Sequence, residues 1–173
     1  FYCVLVYCYL SIVLGAGSYD DFIESFGPIV RWTFDDEVNT VDGILSYDSI
    51  QNARLEATGG VQLGVASLNG LNEAAWLNGT GGGWLNGSYP SSLAPSQATL
   101  ICWARVEGAE GAKNMPVIST RSGNSGYVLE CSSSNSWRFL VGDGNRGFEG
   151  VETDNGTCTS GAWTQLVGTY DSS

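Results

Sequence analysis

Apolar and polar side chains alternate along much of this chain in short runs, and Gly, Asn, Ser and Asp interrupt them. The clearest run is Thr99-Leu-Ile-Cys-Trp-Ala-Arg-Val-Glu107. Successive side chains of a strand point to opposite faces, so Leu100, Cys102, Ala104 and Val106 share a core face while Ile101, Trp103 and Arg105 point the other way. Comparable segments recur at residues 29–34, 54–57, 61–63, 74–77, 116–120, 126–131, 137–141, 148–152 and 163–170, nearly all bounded by turn residues. That spacing predicts an all-β, antiparallel sandwich rather than parallel βαβ units. One helix-like stretch stands apart at 18–26, where Phe22, Ile23 and Phe26 share a face and Pro28 forbids continuation.

Trp76-Leu-Asn-Gly79 recurs as Trp84-Leu-Asn-Gly87, with a third Leu-Asn-Gly at 68–70. Asn-Gly tolerates the positive φ of a two-residue hairpin turn, so each copy reads as the end of a strand followed by a turn. The copies are too close for a supersecondary repeat of roughly 20–50 residues, which excludes a solenoid or propeller. Asn78, Asn86 and Asn155 each head an N-x-S/T sequon and are candidate glycosylation sites in an extracellular setting. Turn chemistry explains the same residues without a sugar.

Residues 1–17 carry no charge, and the composition changes abruptly at Ser18. As a helix this segment would span about 25 Å, short of the ~30 Å hydrocarbon core, and Gly15, Ala16 and Gly17 suit a signal-peptidase site. We expect a signal-peptide core at 1–17, or alternatively a retained membrane or filament anchor, and one domain over 18–173 outside the cytoplasm. Membrane contact is expected only through 1–17.

The composition sharpens this. Gly contributes 24 of 173 residues and charged residues only 14%, which favours turns joined by short strands around one core. The net charge is −11, and the seven basic residues are scattered singly, so no surface offers the positive field that a phosphate backbone demands. Nucleic acid is excluded on that ground. A cation, a neutral sugar or a basic protein surface remains compatible.

Histidine is absent, which excludes Ser-His and Cys-His catalysis and His-ligated zinc. Glu152-Thr-Asp154 has the first spacing of the Glu-x-Asp-x-x-Glu arrangement that β-glucan hydrolysis needs, but Thr157 stands where the second Glu belongs. The chain therefore reads as a non-enzyme, with a glycoside hydrolase relative as a remote alternative. Asp35, Asp36, Glu37 and Asp48 offer hard oxygen ligands for Ca2+, as Asp42 and Asp143-Gly-Asn145 also do, although any acidic surface loop looks the same. Trp84, Trp103 and Trp137 are candidates to stack on a saccharide if their indoles are exposed, the alternative being burial under a loop or sheet.

Six landmarks in order carry a family resemblance: Ile29-Val-Arg-Trp-Thr-Phe-Asp-Asp-Glu37, Asp48-Ser-Ile-Gln-Asn-Ala-Arg-Leu55, Ala75-Trp-Leu-Asn-Gly79, Thr99-Leu-Ile-Cys-Trp-Ala-Arg-Val106, Gly126-Tyr-Val-Leu129 and Trp163-Thr-Gln-Leu-Val-Gly-Thr-Tyr-Asp171. Together they resemble the laminin-G-like jelly-roll family of the concanavalin A-like lectin/glucanase fold, over about residues 19–171. The resemblance implies two packed antiparallel sheets and an extracellular binding or adhesion module whose partners are glycans, matrix or cell-surface proteins. A structural cell-surface or filament subunit is the alternative.

Cys102 and Cys158 resemble the paired positions of pentraxin-like and laminin-G-like domains, so the resemblance implies a Cys102–Cys158 disulfide. It would close a loop of about 57 residues, worth about 4 kcal/mol at most in the chain-entropy model. Cys131 would remain a buried free thiol, and Cys3 and Cys8 would leave with a cleaved leader. The family also implies further strands after Tyr170-Asp171, so a jelly roll lacking its last strands is expected. In pentraxin-like relatives the calcium ligands lie largely beyond the disulfide, and the Gly123-Asn124 region has no carboxylate, so no ligand carries over.

Overall fold

In a computed structural model the described residues are 2–7, 21, 23, 25–28, 30–34, 44–47, 54–68, 73–77, 84–87, 96–108 and 113–171. Among them lie twelve strands: β1 (Tyr2–Tyr7), β2 (Ile44–Tyr47), β3 (Arg54–Thr58), β4 (Val61–Ala66), β5 (Glu73–Leu77), β6 (Trp84–Gly87), β7 (Gln97–Gly108), β8 (Met115–Ser119), β9 (Ser125–Cys131), β10 (Trp137–Asp143), β11 (Phe148–Glu152) and β12 (Trp163–Asp171). The chain divides into two compact units, Phe1–Leu5 with Tyr89–Ser173, and Val6–Ser88.

In the unit that holds the C-terminal half, β7 pairs antiparallel with β12, Cys102 facing Leu166 and Arg105 facing Trp163. A second sheet runs β11-β10-β9-β8, antiparallel throughout. Alternation places the layers. Cys102, Ala104 and Val106 of β7 and Leu166 of β12 are buried on one face, as are Tyr127, Leu129, Phe139 and Trp137 of the facing sheet. A methyl group added at Gly168 would lie 2.7 Å from the Phe139 ring, and Tyr170 stands 6.3 Å from both Phe139 and Tyr127. The two antiparallel sheets are therefore stacked face to face, the sandwich of a jelly roll.

In the other unit β3 pairs with β2 and β6, and β4 pairs with β5. Its described core includes Leu55, Ala74 and Ala75. Of the expected strand at 29–34, Trp32 makes an isolated bridge, and Phe34 adopts a φ of 60°, which an extended run cannot accommodate. At 18–26 Asp21 and Ile23 are helical and the Ser25 amide donates to Asp21 O at 3.0 Å, but Phe26 is 64% exposed rather than packed on an apolar face. Phe22 lies outside the described residues.

The disulfide differs from the expected one. Cys131 bonds Cys158, with a Cα–Cα distance of 6.1 Å, and Cys102 is the buried free thiol. The cause is where the loop before β12 docks. The Cys158 amide donates to Asn135 O at the β9–β10 turn, and the Gly161 amide donates to Val106 O near the end of β7. Val106 lies about 13 Å along the strand from Cys102, beyond the ~7 Å that a disulfide spans between Cα atoms. Cys131, at the end of β9 and opposite Trp137, is instead within reach.

Of the expected Asn-Gly turns, Asn155-Gly156 is one, with a φ of 83° at Gly156. Asn86-Gly87 is not. It continues β6, where Asn86 faces Glu56 and Gly87 faces Leu55. Asn78-Gly79 lies outside the described residues.

Candidate functional site: the outer face of β7 and β12

Because Cys102, Ala104 and Val106 turn inward, Ile101, Trp103, Arg105 and Glu107 stand on the outer face of β7. Register sets their neighbours: Trp163 lies opposite Arg105, Gln165 opposite Trp103, and Val167 opposite Ile101. The Arg105 guanidinium sits over the Trp163 ring, 5.4 Å from its centroid, and its Nη2 lies 2.7 Å from Glu107 Oε1. The Trp163 ring quadrupole and the Glu107 carboxylate both hold the cation, and Trp103 stands two residues along the same face of the strand. Trp103 and Trp163 are half-buried, while Gln165, Val167 (60% exposed) and Thr169 are open. Thr99 and Thr169 share a hydroxyl contact of 3.1 Å at the end of the face, beside a shallow depression bounded by Gln97 and Asp171. Trp103 Nε1 and Arg105 Nε are covered and have no acceptor.

The predicted aromatic residues do not converge. Trp103 is on this face. Trp137 is 5% exposed, on the core side of β10 opposite Cys131, so its ring is closed to a ligand and it is withdrawn as a sugar-stacking candidate. Trp84 is 56% exposed, on β6 of the other unit opposite Thr58. Trp163 and Gln165 were missed by sequence reasoning. Their signal was the parity of Trp163-Thr-Gln-Leu-Val, readable once Leu166 is assigned to the core.

Asp35, Asp36, Glu37 and Asp48, the calcium candidates, lie outside the described residues, and among the described residues no group of three His, Cys, Asp or Glu side chains converges on a metal position. Asn155 is exposed in its turn and Asn86 is exposed on β6, whereas Asn78 is not among the described residues.

Two further polar groupings lie at the two ends of the β8–β11 sheet. At the β9–β10 turn the hydroxyls of Ser136, Ser134 and Ser132 all donate to Glu152 Oε1, the latter two at 3.1 and 3.3 Å. These bonds, Ser136 first, hold the Glu152 carboxyl below its ordinary value against a desolvation that pushes the other way, and Arg138 adds to the lowering. Arg138 also pairs with Glu130, which is 6% exposed. At the opposite end, Asp143 Oδ1 accepts the amides of Asn145 and Arg146, both at 2.8 Å, and the Arg146 bond followed by the Asn145 bond lowers the Asp143 carboxyl.

With the sandwich and its outer face defined, comparison with known families gives one result. A laminin G family model, described as the concanavalin A-like lectin/glucanases superfamily, matches residues 78–173, more than half of the chain. The chain belongs to that superfamily. No curated protein and no solved structure matches it. The domain is of a kind that fits carbohydrate binding or adhesion, commonly to glycans or matrix proteins, and that is usually non-catalytic. Family and disulfide together suggest an extracellular domain.

Proposed function

We propose that this domain is a non-catalytic, glycan-binding adhesion module of the cell exterior and that the outer face of β7 and β12 is its binding surface. The observation that supports this most is the cluster of Trp103, Arg105 and Trp163 on one sheet face, in which the Arg105 guanidinium lies over the half-buried Trp163 ring and Trp103 stands beside it on the same face of β7. Aromatic faces pack against the apolar C–H faces of sugar rings, and a rigid aromatic contact loses little entropy on binding. Gln165 and the Thr99–Thr169 pair flank the cluster with groups that both donate and accept, as sugar hydroxyls require. The face is open and shallow, which suits a chain of sugars better than one small molecule enclosed in a pocket.

A glycan array, followed by titration of the strongest binder, tests this. Trp163→Ala and Trp103→Ala should each weaken binding about tenfold, the loss of one aromatic stacking contact of roughly 1–3 kcal/mol. Gln165→Ala, at an exposed position, should weaken it less and leave the melting temperature unchanged. Failure of the domain to bind any glycan, or unchanged affinity in both tryptophan variants, would overturn the proposal.

A further inference from the structure

Two cations of this acidic chain are neutralised where they stand. Arg105 pairs with Glu107, and Arg138 pairs with Glu130. Arg121 and Arg146 differ: both are exposed, and neither has a carboxylate within ion-pair distance among the described residues. They occupy the tips of neighbouring turns, β8–β9 and β10–β11. The tips are joined through the backbone: the Gly144 amide donates to Asn124 O at 2.9 Å, and Ser125 faces Asp143 in the ladder. Gly142 permits this approach, since a methyl group there would fall 2.2 Å from Asn124 O. The Arg121 guanidinium reaches across and lies 4.9 Å from the centre of the Phe148 ring, two residues from Arg146.

We infer that these two tips form a second binding site, for the carboxylate of an acidic sugar. A planar guanidinium offers a forked set of donors that matches a carboxylate, and packing on Phe148 fixes its orientation before a ligand arrives. On these tips one carboxylate, Asp143, stands against the two guanidiniums, and its Oδ1 is taken up by the amides of Asn145 and Arg146. Glu149 belongs to the opposite face of β11 from Phe148, by strand alternation.

The molecule as a whole carries −11, so a long polyanion is repelled, whereas one carboxylate feels chiefly the two nearby cations within a screening length of about 8 Å. That favours a single terminal acid over a sulfated polymer. Asn124 and Asn145, exposed on the same tips, suit the hydroxyls of a sugar ring. The site does not depend on the β7–β12 face.

Chemical-shift titration of the whole chain would use 3′-sialyllactose, a glucuronic-acid-terminated disaccharide, lactose and a hexaglutamate peptide. At least one acidic sugar should bind and shift the Arg121, Asn145 and Arg146 resonances, with lactose about tenfold weaker, and the arm that binds identifies the acid as sialic or uronic. Arg146→Ala and Arg121→Ala should each reduce that affinity about tenfold, the ordinary loss of a charge-assisted hydrogen bond. Arg146→Ala leaves the Arg121–Phe148 packing in place, so the test stands even if the Arg121 variant folds poorly. Trp163→Ala should leave tip binding intact, which separates this site from the aromatic face. Equal binding of lactose and the acidic sugars, unaltered affinity in the arginine variants, or equal binding of the peptide would overturn the inference.

Discussion

Three serine hydroxyls converge on one carboxylate oxygen at the end of the β9–β10 hairpin, and the consequence is a pH dependence of known sign. Glu152 titrates below its ordinary 4.5 in the folded chain, chiefly because Ser136 donates to it. Its contribution to stability is therefore complete above about pH 4.5, the unfolded value, and is lost as the pH falls through the folded value. Thermal melts between pH 7 and pH 3 should show Glu152→Gln losing less stability on acidification than the parent chain. Equal acid sensitivity of the two would show that the serine cluster does not hold the charge. Cys102 and Cys131 illustrate the opposite limit of local reasoning. Both sit on apolar parity and both are fully buried, so nothing within either strand tells the bonded cysteine from the free one. Peptide mapping without reduction should recover Cys131 linked to Cys158 and Cys102 unlinked; a Cys102–Cys158 peptide would contradict the structure.

At the scale of elements, what was legible is what alternates. The pattern at 99–107 named the inward set Leu100, Cys102, Ala104 and Val106, of which the last three are buried and Leu100 is half-buried, and the expected strand at 148–152 coincides with β11. β2 was missed because it is only four residues long, between Gly43 and Asp48, and β1 because Tyr2–Tyr7 reads as one apolar run with no polar partner positions. The outward display of Trp103 was legible within its own strand. Its neighbours Trp163 and Gln165 were not, because that juxtaposition depends on a register between strands some sixty residues apart. Gly168 marks the same non-local information, since the close approach of the sheets is set by what it lacks. Gly168→Val should cost about 1–3 kcal/mol in urea unfolding by driving Phe139 from its position. A fully neutral substitution would mean that the sheets are not stacked at this point.

Across the whole molecule, the family resemblance carried the fold correctly and the disulfide incorrectly. The two are physically separable: sheet stacking follows from side-chain parity along many strands, whereas a bridge depends on where one loop comes to rest. The Cys131–Cys158 bond closes a sequence separation of 27 residues, and in the chain-entropy model it contributes about 3–4 kcal/mol by restricting the unfolded chain. Cys131→Ser with Cys158→Ser should lower stability by about that amount, while Cys102→Ser should leave the bridge and its contribution in place. Function is less legible than fold, because a jelly roll hosts many activities and the site must be argued from its own side chains. The most direct check on the proposed face is a two-dimensional NMR titration of the indole N–H signals with a glycan chosen from the array. The Trp103 and Trp163 signals should shift with a common affinity while the buried Trp137 signal stays fixed. Saturable glycan binding that moves other signals and leaves those of Trp103 and Trp163 in place would contradict it.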